Sequence, residues 1–365
     1  MTRRAIAFLA VVPFLLLSCG RPSEEEETVV PPITIDTLVV RDSIGVLVGD
    51  SCYMLGRITK ACPLPGGGVA VLDGSTGKVS VFDSDCEFVR SFGGLGEAPG
   101  TFQMPYEMTV LGDGRYAVFD WMGTNVSFFD QRGEYLGSRR NPGLEMPMGM
   151  TSISDSCFVL YSCPTYQTED GYKMGYEVNV YRGMDEESYS TPFRHSFTFG
   201  QEDYDFKPGY LAVASGPSGN LYISRMCSPD YRIEVYNLEG EPVDTIESER
   251  VHLPWEDLKR PLYIPIARFM VTDGDGNSEQ KMGDTPEMCP QVERLGVDSL
   301  GNVWAQMGPS ESYRWDLFSP DGERIGEAYT EAFPDTVYTR IYVTEHGVVA
   351  WEPNPDDYAR VYLLK

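Results

Sequence analysis

From residue 33 onward, short runs of β-branched and aromatic residues alternate with clusters of Gly, Pro, Asp and Asn. Such punctuation predicts strands joined by tight turns. No long stretch carries a helical period, and residues 253–260 (LPWEDLKR) read as one or two helical turns. Two neighbouring stretches are one unit written twice: 68–90 (GVAVLDGSTGKVSVFDSDCEFVR) and 112–137 (GDGRYAVFDWMGTNVSFFDQRGEYLG). Each has an apolar strand ending in Asp, a polar loop, an apolar-aromatic strand ending in Phe-Asp, a polar turn and one more strand. Residues 92–105 (FGGLGEAPGTFQMP) join the two copies. A connector between repeats makes repetition the first thing to follow along the chain.

The second half of the unit recurs as 79–83 (VSVFD), 126–130 (VSFFD), 178–182 (VNVYR), 233–237 (IEVYN), 315–319 (WDLFS) and 359–363 (ARVYL). An apolar residue followed by an aromatic buries both faces of a strand, as stacked sheets require. Turn formers follow most copies, for example Asp130-Gln131-Arg132-Gly133 and Ser319-Pro320-Asp321-Gly322. A partner strand precedes each copy, at 69–73, 116–120, 157–161, 221–224, 303–306 and 348–351. Six copies at uneven spacing predict an all-β fold, a six-bladed β-propeller of four-stranded antiparallel blades. Insertions at 164–176 and 248–290 account for the uneven spacing. The last copy stops at Lys365 without a fourth strand, while residues 33–40 (ITIDTLVV) form a strand with no repeat of their own. We expect that N-terminal strand to pair with the last blade and close the ring, covering an edge that would otherwise be open.

The N-terminus carries an address. Arg3 and Arg4 precede an apolar segment, 5–17, which is too short to span a bilayer. It ends in Leu16-Leu17-Ser18-Cys19-Gly20, which resembles the lipobox of bacterial lipoproteins. That resemblance implies a signal peptide over 1–18, lipidation of Cys19 and attachment to a membrane through the lipid. Gly20 is not the Asp that marks inner-membrane retention, which favours the outer membrane or cell surface. Residues 19–32, with their Glu run and prolines, are expected to be a flexible acidic tether. Residues 33–365 are then the single propeller domain.

The formal charge of −26 argues against nucleic acid as a partner and suits solubility, a cation or a basic partner. Eight cysteines are present and no Cys-x-x-Cys pair, which removes zinc-ribbon and thioredoxin-like readings. Assigning Cys19 leaves an odd set, with at least one thiol free or bonded to another molecule. Cys163 and Cys227 fall at matching positions of neighbouring copies and are the candidate cross-blade disulfide in an exported protein.

With the strand-Asp-loop-Phe-Asp units in view, the connector 93–105 resembles the loop between repeats of NHL-type propellers. From 33 to 365 the chain is similar to the six-bladed β-propeller lipoproteins of bacteria. The resemblance implies a binding or scaffolding platform, and a shared fold does not by itself give a function.

Related propellers also include gluconolactonase-like lactonases and amidating lyases, whose metals sit on channel acids and histidines. The three histidines here, His195, His252 and His346, are far apart in sequence, and no Gly-x-Ser-x-Gly elbow is present. Asp273, Asp275, Asn277 and Glu279 alternate with glycines and Ser278 as calcium loops do, or form a polar turn; they lack the spacing of an EF-hand. Asp73 and Asp120 each end a strand and are candidate channel acids, unless they bond the backbone of the next loop. Trp121, Arg225, Tyr231 and Tyr313 sit on loops and are candidate contacts for a protein, peptide or glycan, or else wedge packing between blades. The expectation is a monomeric, non-catalytic binding platform on the envelope that requires no cofactor. The alternative is a calcium-assisted hydrolase or lactonase acting in the channel.

Overall fold

A computed structural model describes residues 34–140, 146–168, 171–185, 187–198, 211–225, 228, 230–249, 254, 268–272, 278–282, 290–307, 313–333, 339–353, 355 and 357–365. Six antiparallel sheets follow one another along the chain as the blades of a propeller. Their inner strands are Ile58–Pro63, Pro105–Val110, Met146–Ser152, Leu211–Ser215, Val292–Val297 and Arg340–Thr344. The second strands of the first two blades, Val69–Asp73 and Tyr116–Asp120, have the ends that the sequence predicts.

The burial pattern explains why these short runs form blades. Val69, Ala70, Val71 and Leu72 are all fully buried although they alternate faces. Val69 and Val71 join the cluster shared with the sixth blade, through Val349, Trp351 and Val361. Ala70 and Leu72 join the cluster shared with the second blade, through Met108, Val118 and Phe129. Four further clusters fill the remaining gaps between consecutive blades. Each strand is therefore apolar on both faces because each face meets a different neighbour. A fully buried Phe such as Phe82 or Phe158 contributes about 1.5–3 kcal/mol in this setting.

The ring closes, as expected, through an N-terminal strand paired with the last blade, but residues 40–44 make that pairing. Strand β1, Thr34–Thr37, does not complete the last blade: it lies parallel to Arg324–Thr330 as a fifth strand on the fifth blade. Strand β2, Val40–Ile44, completes the last blade by pairing antiparallel with Val361–Leu364. Between them, Leu38 is buried against Tyr313 and Ile341, and Val39 exchanges backbone hydrogen bonds with Lys365. Residues 34–40 thus serve two blades, because the break at Leu38 and Val39 lets the chain step from one edge to the next. Residues 33–365 form one compact unit.

The third-blade insertion lengthens two strands, Gly171–Arg182 and Ser188–Thr198, and adds Thr165–Thr168 alongside the first of them. The second insertion contains the hairpin Arg268–Thr272 with Ser278–Met282. The helical turns expected at 253–260 lie outside the described residues, apart from Pro254. The antiparallel order fixes the two faces of the ring. One carries the hairpin turns that follow the inner strands; the other carries the blade connectors and the loops after the second strands.

Candidate binding site at the channel mouth

The ends of five inner strands, from the first, second, third, fourth and sixth blades, line one cavity of about 150 Å³. Convergence of five blades places it on the propeller axis, at the channel mouth on the hairpin face. Hydroxyls dominate its polar lining: Thr109, Thr151, Ser152, Ser154, Ser215 and Thr344. Asp155, Glu345 and His346 stand on the turns around it. Val110, Ile153, Ala214 and Val343 supply apolar wall.

Three of the hydroxyl-bearing residues form a directed chain across blades. The Tyr342 hydroxyl donates to Thr151 Oγ1 at 3.4 Å. Ser215 Oγ donates to the Ser152 carbonyl, so its single proton is committed. Thr151 must then be the donor in its 2.9 Å contact with Ser215. Hydrogen bonds aligned head to tail polarise one another, which favours a fixed arrangement of these side chains. Thr109 is only 3% exposed, and its hydroxyl has no hydrogen-bond partner among the described residues.

Behind Tyr342 lies a buried ion pair. Lys60 Nζ is 3.1 Å from Glu107 Oε2, and the two side chains are 9% and 6% exposed. The same ammonium sits 4.1 Å from the centroid of the Tyr342 ring. Burial works against the charged lysine and is the largest single influence, but Glu107 together with Tyr342, Cys62 and Tyr161 outweighs it and holds the ammonium above the ordinary lysine value. Burial pushes the Cys62 thiol and the Tyr161 phenol up to about 12 each, with Glu107 adding to both. Tyr342 is raised as well, by burial first, with Lys60 opposing. At neutral pH the channel beneath the mouth therefore holds a paired Lys and Glu with protonated tyrosines and thiol.

The sequence candidates divide into three groups. Asp73 accepts hydrogen bonds from the backbone of Gly56, Arg57 and Ser75 and from the Ser75 hydroxyl. Asp120 accepts from the backbone of Gln103 and Met104. These carboxylates pin the incoming connector to the second strand, which corrects the channel-acid expectation. Tyr231 and Tyr313 are buried in wedges: Tyr231 donates to Asp316 at 2.9 Å, and Tyr313 Oη accepts from the Thr339 amide at 2.8 Å. Neither presents a surface to a partner, because its aromatic bulk fills the gap between blades. Trp121 and Arg225 are exposed; Trp121 packs edge-on against Tyr106, and Arg225 lies over the Phe193 ring. Cys19, Cys227, Asp273, Asp275 and Asn277 lie outside the described residues, as do the side chains of Cys163 and Glu279.

The residues gathered at the mouth were absent from the sequence candidates. Their signal lies in the inner strands, where polar residues recur at alternate positions: Glu107 and Thr109, or Tyr342 and Thr344. The second and third strands are richer in apolar and aromatic residues and mark the repeat far more strongly.

No protein-family model matches the chain, and no curated protein matches it. Among solved structures, a member of the DUF4221 family from Bacteroides vulgatus superposes with a TM-score of 0.54 at 12% identity, covering 90% of this chain and 97% of that one. Virginiamycin B lyase from Staphylococcus aureus superposes with a TM-score of 0.42 at 10% identity, over 90% of this chain and 99% of that one. A gluconolactonase from Xanthomonas campestris gives 0.44 at 12% identity, over 86% and 87%. At these identities the likeness is one of fold.

Proposed function

We propose that the chain is a lipid-anchored propeller of the bacterial cell envelope, with a signal peptide over 1–18, lipid on Cys19, a tether over 19–32 and a non-catalytic binding site at the channel mouth. The observation that carries the absence of catalysis is the Lys60–Glu107 pair beneath the mouth. A general base needs a pKa near the working pH, and a metal centre needs several free oxygen or nitrogen ligands. Here the channel carboxylate is neutralised by an ammonium, and the neighbouring phenol and thiol are pushed up to about 12. Among the described residues, no three His, Cys, Asp or Glu side chains gather in a way that could hold a metal ion. The pairing of Glu107 with Lys60 leaves that carboxylate no free charge for calcium, which favours the binding reading over the hydrolase or lactonase alternative.

The anchor rests on the lipobox-like run ending at Cys19 and the acidic, proline-containing segment after it. The NHL-like connector agrees with a platform of the propeller lipoprotein type.

Two measurements test the reading. Labelling with radioactive palmitate should mark the wild-type chain and leave Cys19→Ala unlabelled; equal labelling of both removes the anchor. Added calcium should leave the melting temperature where EDTA leaves it. A calcium-dependent rise abolished by Glu107→Gln would restore the hydrolase alternative.

A further inference from the structure

We propose that the channel mouth binds the terminal residue of a neutral, polyhydroxylated ligand, a sugar, through its ring of hydroxyls; this rests on the mouth being the binding site. Charge argues first against an anion. Asp155 and Glu345 stand on the rim and repel an anion. A cation would meet those carboxylates at the rim but no free carboxylate on Glu107 deeper in, because Glu107 is already paired with Lys60. An acidic rim over a neutral ion pair, with hydroxyls between them, offers an uncharged ligand dipoles of both senses.

The hydroxyl lining has the same requirement. Each hydroxyl is both donor and acceptor, as each sugar hydroxyl is. The chain from Tyr342 through Thr151 and Ser215 to the Ser152 carbonyl fixes where protons point, so Thr151 and Ser215, both lining the cavity, each keep acceptor capacity for a ligand. Thr109 adds a hydroxyl that has no partner among the described residues although the residue is 3% exposed. Thr109 lines the cavity, where a ligand hydroxyl can pair with its own. The rim carboxylates can each accept two sugar hydroxyls in charge-assisted hydrogen bonds. Val110, Ile153, Ala214 and Val343 offer apolar wall to the C–H faces of a ring. The cavity of about 150 Å³ equals roughly five waters at ~30 Å³ each, which suits one ring and not a chain, so the ligand enters by its end.

The test is saturation-transfer NMR on the full chain in detergent, with glucose, galactose, mannose and N-acetylglucosamine as probes and cadaverine and inorganic phosphate as charged controls. At least one sugar should bind saturably, unaffected by EDTA and not displaced by either control. Thr109→Val keeps the side-chain shape and should weaken that sugar about five-fold. Glu345→Gln, on the rim and tolerant of change, should weaken it several-fold and covers the case in which the threonine variant does not fold. Sugar binding indifferent to both variants would overturn the proposal by placing the site elsewhere. Cadaverine binding that Glu345→Gln abolishes and Thr109→Val leaves intact would overturn the sugar and keep the mouth. Binding of none of the probes would overturn both.

Discussion

At the scale of single residues, the most consequential contacts are charges removed from water. Lys60 and Glu107 pair with each other, and the Lys60 ammonium also lies over the Tyr342 ring. Lys60→Met would leave Glu107 buried without its counter-charge, and a cost of about 3–5 kcal/mol is expected. The double variant Lys60→Met/Glu107→Leu should recover most of that loss, because both desolvation penalties disappear together. Urea unfolding of the four combinations measures this; a double variant as unstable as the single one would show that the pair does more than cancel itself. Lys60 has a raised folded pKa, so its contribution is complete below the ordinary lysine value near ~10.4 and fades only as pH rises through the folded value. Asp73 behaves in the opposite way. Burial raises its pKa, but the Ser75 hydroxyl and the amides of Gly56, Ser75 and Arg57 lower it by more. Its stabilisation is therefore complete above the unfolded value near ~3.9 and is lost as pH falls through the folded value. Asp73→Asn should cost about 1–3 kcal/mol at neutral pH. The gap in melting temperature between variant and wild type should close below about pH 4. A constant gap down to pH 2 would contradict the assignment.

At the scale of elements, the connector over 92–105 shows what a sequence can reveal. Its glycines and prolines mark a turn region, and the flanking repeats identify what it joins: Phe88–Gly93 of the first blade and Pro105–Val110 of the second. What holds it down is less visible. Phe102 is fully buried between the two blades, with its backbone bonded to Gly94 and Gly96. Gly77, at φ +68°, touches the connector so closely that a Cβ would lie 2.8 Å from the Leu95 nitrogen. Asp120 fastens the far end at Gln103 and Met104. Phe102→Ala should cost about 3–5 kcal/mol, as for other buried Phe truncations, and calorimetry should show it as a lower midpoint with one transition retained. A loss under 1 kcal/mol would mean that the connector is latched by its backbone alone. The fold was legible because second and third strands bury both faces and so repeat an apolar-aromatic signature six times. The site was not, because inner strands bury one side in wedges and turn the other to the channel, where each blade contributes a different polar residue. Thr109, Thr151, Ser215 and Tyr342 come together only through ring closure, and no local spacing encodes that. Tyr231 and Tyr313 misled for a related reason: loop-flanked aromatics look available in a sequence, but wedges between blades need aromatic volume.

At the scale of the whole molecule, stability depends on joining the two ends of the described chain. The sixth blade is made of Arg340–Thr344, Gly347–Trp351, Val361–Leu364 and the N-terminal β2. Ile44, 1% exposed, packs with Val361 and Leu363 and with Ile58 and Phe82 of the first blade. Strand β1 only adds a fifth strand outside a blade that already has four. The two N-terminal strands therefore make unequal contributions. Removing residues 1–37 takes away β1 and leaves Leu38, Ile44 and the closing ladder. That variant should unfold within a few degrees of the full chain and in one transition. Removing residues 1–44 also exposes the edge of Val361–Leu364 and empties the places of Leu38 and Ile44, worth about 1.5–3 kcal/mol each. Loss of the latch between first and last blades should lower the midpoint far more, split the transition as terminal blades open before the centre, and promote self-association through the bared edge. Calorimetry with light scattering on both truncations decides the matter. Equal midpoints would mean that the interblade wedges alone hold the ring. A sharp fall already in the shorter truncation would assign closure to β1, as the uninterrupted run 33–40 suggests when read as sequence.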